Sequence, residues 1–263
     1  MEVLTERSSR VVSFAKLHRA SARRDQGQFL VEGPNAVEAA LDAGQAQVVL
    51  VGEDDVDRHR DVLAVAADRG VGVLEVTARA VAKLADATTP PGIFAVCGLL
   101  DVALDEVLTS APQLLAVAVE PREPGNLGTI IRCADAMGAD GVVVLGDAVD
   151  PHNGNCVRAS AGSVFHLPIV RERSVDEGLA ALRSAGLTIL ATTADGETPL
   201  ITAGEILARP TAWLFGNEAH GLTDDLAAAA DHRVSIPIKG RAESLNLATA
   251  AAICLYESAR AQG

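Results

Sequence analysis

At 263 residues the chain is longer than one hydrophobic core usually requires, so two modest domains are expected. Its 49% hydrophobic content with 3% aromatics implies a core of Ala, Val, Leu and Ile. No apolar run approaches the roughly 20 residues that cross a bilayer, which excludes a membrane-spanning reading, and the net charge of −13 argues against a surface coated with phosphate-binding groups.

The N-terminal stretch Met1-Glu2-Val3-Leu4-Thr5-Glu6-Arg7 lacks the basic and apolar regions of a leader peptide, so a cytoplasmic protein is expected. Residues 1–25 hold Arg7, Arg10, Lys16, Arg19, Arg23 and Arg24 against Glu2, Glu6 and Asp25, a local basic stripe able to meet phosphates despite the acidic whole. A helix is expected from Val11 to Arg24, followed by the strand Gln28-Phe29-Leu30-Val31-Glu32 ending at Gly33. The pattern then predicts a helix over Pro34 to Ala43, a strand over Gln47 to Val51, a helix over Arg58 to Arg69, and strands over Val71 to Val76 and Ile93 to Cys97. These make residues 1–100 a small α/β domain, and the acidic, proline-containing stretch 101–112 a connection.

In residues 113–263 the strands are more apolar: Leu114 to Val119, Gly141 to Leu145, Thr188 to Thr192, Ala212 to Phe215 and Arg233 to Ile238, separated by helical segments. Continuous apolar strands alternating with helices imply a mostly parallel sheet buried on both faces. Four cysteines, Cys97, Cys133, Cys156 and Cys254, are scattered without a C-x-x-C pair or a His at metal spacing, so buried free thiols and no metal are expected.

Three strand ends carry residues suited to chemistry. After Leu114 to Val119 comes Glu120-Pro121-Arg122-Glu123-Pro124-Gly125-Asn126, with Asn126 placed to cap a helix whose apolar stripe is Leu127, Ile130, Ala134 and Met137. Arg132 lies roughly 140° from Leu127 at the helical period and so faces away from that stripe. The second is Leu214-Phe215-Gly216-Asn217-Glu218-Ala219-His220-Gly221, a strand and a glycine-bounded loop. His220 there has neither nucleophile nor fixed partner in sight and reads as solvated. The third is Ile236-Pro237-Ile238-Lys239-Gly240-Arg241-Ala242-Glu243-Ser244-Leu245-Asn246, a strand end and loop in which Ser244 is expected to cap an Ala-rich helix running towards Ala259. Taken singly, each of these residues is better explained by structure than by function.

Together, and with Arg158-Ala159-Ser160-Ala161-Gly162-Ser163 between them, the three segments resemble, in order, the motifs of the SpoU (SPOUT, trefoil-knot) RNA 2′-O-ribose methyltransferases, over residues 114–258. The first hundred residues, with Leu30-Val31-Glu32-Gly33, are similar more loosely to the L30e-like RNA substrate-binding domain of the rRNA-acting branch. The resemblance implies a C-terminal, mostly parallel sheet with a deep trefoil knot, a rare exception to unknotted chains. It implies S-adenosylmethionine as methyl donor, held by Leu214, Phe215, Gly216, Asn217, Ile236, Ile238, Ser244 and Leu245, with no metal. It implies a catalytic set of Arg132, Asn126, Glu218, Ser244 and Asn246, RNA (most of all 23S rRNA) as partner, and a homodimer whose sites borrow residues across the interface. No G-x-G-x-x-G follows a strand, so a Rossmann-type donor site is not supported. Glu120-Pro121-Arg122-Glu123 departs from the family's commoner aspartate and small residues and adds charge at the mouth of the site. The alternatives are a tRNA 2′-O-methyltransferase, a catalytically silent RNA-binding ribosome-assembly factor, and a small-molecule enzyme on a doubly wound sheet.

Overall fold

The computed structural model describes residues 3–263; Met1 and Glu2, the first two residues of the stretch read against a leader, lie outside them. In chain order the first elements are α1 (Ser9–Ala15), α2 (Ala20–Gln26), β1 (Gln28–Glu32), α3 (Pro34–Asp42), β2 (Ala46–Gly52), α4 (Arg60–Asp68), β3 (Gly72–Val76), α5 (Ala78–Leu84) and β4 (Ile93–Gly98). Then follow β5 (Asp101–Val102), α6 (Leu104–Leu108), β6 (Leu114–Val119), α7 (Pro124–Ala136), β7 (Gly141–Leu145), α8 (Gly154–Ser160), β8 (Ile169–Glu172), α9 (Val175–Ser184), β9 (Thr188–Thr192) and β10 (Thr198–Pro199). The last are α10 (Gly204–Leu207), β11 (Thr211–Phe215), α11 (Asp224–Ala229), β12 (His232–Ser235) and α12 (Leu247–Gln262).

The chain forms two compact units. One comprises the residues up to Leu100 together with Asp150–His166, and the other comprises Asp101–Val149 with Leu167–Gly263. The first is built on a four-stranded sheet of order β1-β4-β2-β3, antiparallel except for the β2–β3 pair. Phe94, Val96, Leu50 and Leu30 from the sheet bury against Val11, Leu17 and Leu84. The single helix expected over Val11 to Arg24 is instead two, because Arg19 adopts an extended backbone (φ −95°, ψ 131°) after a 3₁₀ turn that drives Leu17 into the core.

The later segment of the first unit is held by charge. Arg23, 3% exposed, donates to the Asp150 carboxylate at 2.7 and 2.8 Å and to the carbonyl oxygens of Leu17 and His18. His152 accepts the Leu100 N–H at 3.0 Å and packs on Phe29, with ring centroids 4.8 Å apart. Arg158 on α8 reaches Glu32 and Asp86, each at 3.3 Å. Burial pushes the Asp150 carboxyl up, but its bonds from His152 and Arg23 outweigh that and hold it well below the ordinary carboxylate range. This contribution to stability is therefore complete above the ordinary carboxylate range and is lost only as pH falls through the depressed value.

The second unit is an eight-stranded sheet of order β10-β12-β9-β11-β6-β7-β8-β5, with every pairing between its described strands parallel. Its central strands β6, β7 and β11 are buried along their whole length, as continuous apolar runs require. Part of the stretch expected to be a connection belongs to this sheet: β5 pairs with β8, and Val107 of α6 is buried in the core. β12 stops at Ser235 rather than Ile238, because Pro237 has no N–H to give to a ladder. Strand β8 and helix α5 had no expectation from the sequence; both are short. Among the described residues no helix is long and apolar enough to cross a membrane.

Removing one partner of a buried, hydrogen-bonded ion pair leaves the other charge uncompensated, which typically costs about 3–5 kcal/mol. Arg23→Ala is accordingly expected to destabilise the first unit by an amount in that range in urea unfolding, whereas Arg24→Ala, at an exposed position, should stay close to wild type. Equal midpoints for the two variants would show that the Arg23–Asp150 pair does not hold the segment.

Candidate active site

Four adjacent parallel strands, β12, β9, β11 and β6, end on the same edge of the second unit's sheet, and the segments that leave them meet there. This carboxyl edge is where open α/β sheets bind ligands. After β6 the chain turns at Glu120, a non-glycine residue at φ 48°. That turn is held by the Leu145 carbonyl, which accepts the Glu120 N–H, and by the Asn217 side-chain amide, which donates to the Glu120 carbonyl at 3.0 Å. After β11 the chain doubles back so tightly that any Cβ on Gly216 would run into the backbone of Gly221 and Leu222. Asn217 and Gly221 close this loop by exchanging backbone N–H to carbonyl bonds at 2.9 and 2.8 Å.

Glu218, carried by that loop, gathers the site. Its carboxylate accepts the backbone N–H of Arg122 at 3.0 Å and of Glu123 at 3.1 Å, and the Asn126 side-chain amide at 3.1 Å. The two backbone donors belong to the residues that lead into α7 and the third to a side chain in its first turn, where the helix dipole favours a negative charge. Partial burial pushes the carboxyl up, but the donated hydrogen bonds outweigh it and leave it below its ordinary value, ionised at neutral pH. Asn126 passes the network on: its side-chain oxygen accepts the Asn246 amide at 2.9 Å, and the Asn246 oxygen accepts the N–H groups of Ala248 and Thr249 at the start of α12. One chain of hydrogen bonds thus ties together all three motif segments.

Two helices are capped by residues other than those the sequence predicts. Asn126 is not the cap of α7, which begins after Glu123 with Pro124 in its first turn; it lies inside that turn with its side chain turned to Glu218 and Asn246. Ser244 is not the cap of α12, because Asn246 takes that place and Ser244 stays exposed. Pro124 explains the first difference, since its fixed φ and missing N–H suit the opening position of a helix.

Beside the network lies a cavity of about 310 Å³, within the range of about 300–1,000 Å³ typical of small-molecule sites. Of the expected donor-holding residues, Phe215, Gly216, Asn217, Ile236, Ile238, Ser244 and Leu245 line it. Leu214 does not: it is fully buried in the sheet core. Glu218 also lines the cavity, while Asn126 and Asn246 reach it through Glu218. Arg132 is exposed on α7 and is not among the lining residues. Thr192, Thr193 and Ala194, at the end of β9, form a wall that no motif announced; the only sign was that their strand is an apolar run neighbouring β11. A backbone-rich turn without room for a Cβ, facing Ile236, Ile238 and Leu245, suits a flat aromatic ring with polar edges and a short polar tail, which is the chemistry of an adenosyl group.

Of the expected basic stripe, Arg7, Arg10, Lys16, Arg19 and Arg24 are exposed. Arg23 is not; it is the buried partner of Asp150 and is removed from the surface set. All four cysteines are free, and burial pushes the thiols of Cys97 and Cys254 up to about 12.

A large parallel sheet preceded by a small α/β unit is the fold that the SpoU motifs imply, and the comparisons show the family. Residues 113–256 match the SpoU rRNA Methylase family and residues 8–95 the MRM3-like substrate binding domain. The chain belongs to the SpoU rRNA Methylase family. It is 32% identical to the 23S rRNA (guanosine(2553)-2′-O)-methyltransferase RlmP of Bacillus subtilis, over 97% of this chain and 98% of that protein. It is 33% identical to the 23S rRNA (uridine(2479)-2′-O)-methyltransferase of Streptomyces viridochromogenes, over 98% and 91%. Among solved structures, the AdoMet-bound rRNA methyltransferase of Sinorhizobium meliloti superposes with a TM-score of 0.84 at 32% identity, over 98% of this chain and 97% of that one.

A hydrogen bond to a charged acceptor contributes about 1.5–3 kcal/mol. Glu218→Gln should therefore speed amide hydrogen exchange at Arg122 and Glu123 by about ten-fold or more while the amides of β6 and β11 keep their protection. Unchanged exchange at both positions would show that the carboxylate does not organise the start of α7.

Proposed function

We propose that this protein transfers a methyl group from S-adenosylmethionine to a ribose 2′-hydroxyl of 23S rRNA. The observation that carries the reading is the hydrogen-bonded union of Glu218, Asn126 and Asn246 beside a cavity lined by Gly216, Ile236 and Leu245. Support comes also from the relatives named as 23S rRNA 2′-O-methyltransferases and from the AdoMet-bound neighbour.

The donor, when bound, supplies an electrophilic methyl on a sulfonium, so the protein's own work is alignment and charge. Backbone around Phe215, Gly216 and Asn217 and the side chains of Ile236, Ile238 and Leu245 would hold the adenosyl portion. Ser244 stands at the cavity wall to orient it. The Glu218–Asn126–Asn246 chain fixes the loops, so few rotamers are lost when substrate arrives. Arg132 takes the reacting oxygen as a hydrogen-bond donor and cation, orienting the 2′-hydroxyl and stabilising the negative charge that develops there rather than removing the proton.

Arg132 is exposed and outside the cavity lining, which supports a homodimer in which one protomer offers Arg132 to its partner's donor cavity. The trefoil knot implied by the family motifs belongs to the same reading. Arg7, Arg10, Lys16, Arg19 and Arg24 on the first unit are the cations that would meet rRNA phosphates, within or beside the segment that matches a substrate-binding domain. An rRNA substrate and four cysteines without a disulfide, three of them buried, favour a cytoplasmic location.

With labelled S-adenosylmethionine and bulk rRNA, Arg132→Ala is expected to reduce transfer by at least about 100-fold while calorimetry still reports donor binding. Turnover equal to wild type would remove Arg132 from the mechanism. Reversing the charge of Arg10 and Lys16 together should weaken rRNA binding without changing donor affinity, and the loss should grow as salt is lowered. Equal rRNA affinity would place the footprint elsewhere.

A further inference from the structure

Arg122 adds charge at the mouth of the site, and the structure gives it a fixed base and a loosely held head. Its backbone N–H is anchored by the Glu218 carboxylate, which itself lines the cavity, so the Arg122 Cα is fixed at the cavity rim. Its guanidinium is 54% exposed and donates to the Asp147 carboxylate at 2.9 Å; Asp147 is 85% exposed. Asp147 is also well placed, because Gly146 before it takes φ 77° and donates its N–H to Glu172, turning the chain at the end of β7. Glu120 and Glu218 are further electrostatic neighbours of the guanidinium, and Glu123 follows it in the chain. An RNA strand approaching this rim meets carboxylates, with Arg122 between them.

We propose that Arg122 is a phosphate-positioning residue for the RNA substrate: it rests on Asp147 in the free protein and exchanges that carboxylate for a backbone phosphate close to the target nucleotide when RNA binds. The exchange is inexpensive, since an exposed ion pair contributes only about 0–1 kcal/mol. It is directional as well, because the guanidinium fork fits a phosphate in the same two-pronged way that it fits a carboxylate. Phosphate contacts fix the register of a strand without reading its bases. Arg122 therefore sets where the ribose lies relative to the cavity, and Asp147, as the competing anion, tunes how tightly RNA is taken.

The inference rests on the rRNA methylation reading and is tested with the full-length protein, bulk 23S rRNA and labelled S-adenosylmethionine. Arg122→Ala is expected to raise the KM for rRNA about ten-fold with a much smaller fall in kcat, and to reduce the slope of log binding constant against log salt by about one. Arg122→Lys should recover part of the KM. Asp147→Asn should lower the KM by about three-fold, and combining it with Arg122→Ala should cancel that gain. Calorimetry should show the same donor affinity throughout. If the wild type methylates rRNA while Arg122→Ala keeps its KM and salt slope, or if Asp147→Asn gives the same gain without Arg122, the phosphate role is overturned and the methylation reading stands. A wild type that transfers no methyl to rRNA overturns both.

Discussion

The site depends on the demand that the backbone N–H groups of Arg122 and Glu123, the two residues before α7, make for a negative partner. Glu218, from the loop after β11, meets it with both carboxylate oxygens and takes the Asn126 side-chain amide as well. Because the donors and the acceptor come from segments more than ninety residues apart, fixing the approach to α7 and assembling the site are the same event. The carboxylate can serve in this way only from a loop that turns back at once, which is why the crowding at Gly216 matters as much as the charge of Glu218.

How far the site was legible in the sequence follows from what each residue does. Asn126, Glu218, Asn246, Gly216 and Ile236 act through side-chain chemistry or a backbone turn, so their types and spacing carried the information, and the structure brings them together. Thr192 to Ala194 contribute a wall because of where β9 lies in the strand order, and order is a property of the folded sheet. Two N-caps differ from the sequence expectation for a related reason: Asn126 and Ser244 have the right chemistry to open a helix, but Glu123 with Pro124, and Asn246, occupy those places. The central strands were plain from their unbroken apolar runs, while β8, β10 and α5 are too short to show a period.

Charge in this protein is sorted by position more than by amount. The net charge of −13 counts Arg23 as a cation, although its guanidinium is buried against Asp150 and offers nothing to a ligand. Arg158 is likewise spent on Glu32 and Asp86. The RNA contacts proposed above fall instead on exposed cations, those of the N-terminal helices and Arg122 at the cavity rim. Few, well-placed contacts of this kind favour registration of a strand over indiscriminate adhesion to it.

The inclusion of Asp150–His166 in the first unit imposes an order on biosynthesis. A nascent chain that has emerged only as far as Leu100 holds Arg23 and Glu32 without Asp150 and Arg158, their partners from a segment still to be translated. The N-terminal unit must wait, incompletely packed, while the first strands of the second unit are made, and it closes only once residue 166 has left the ribosome. A break placed between the two family-matched regions would separate charges that the finished protein keeps together.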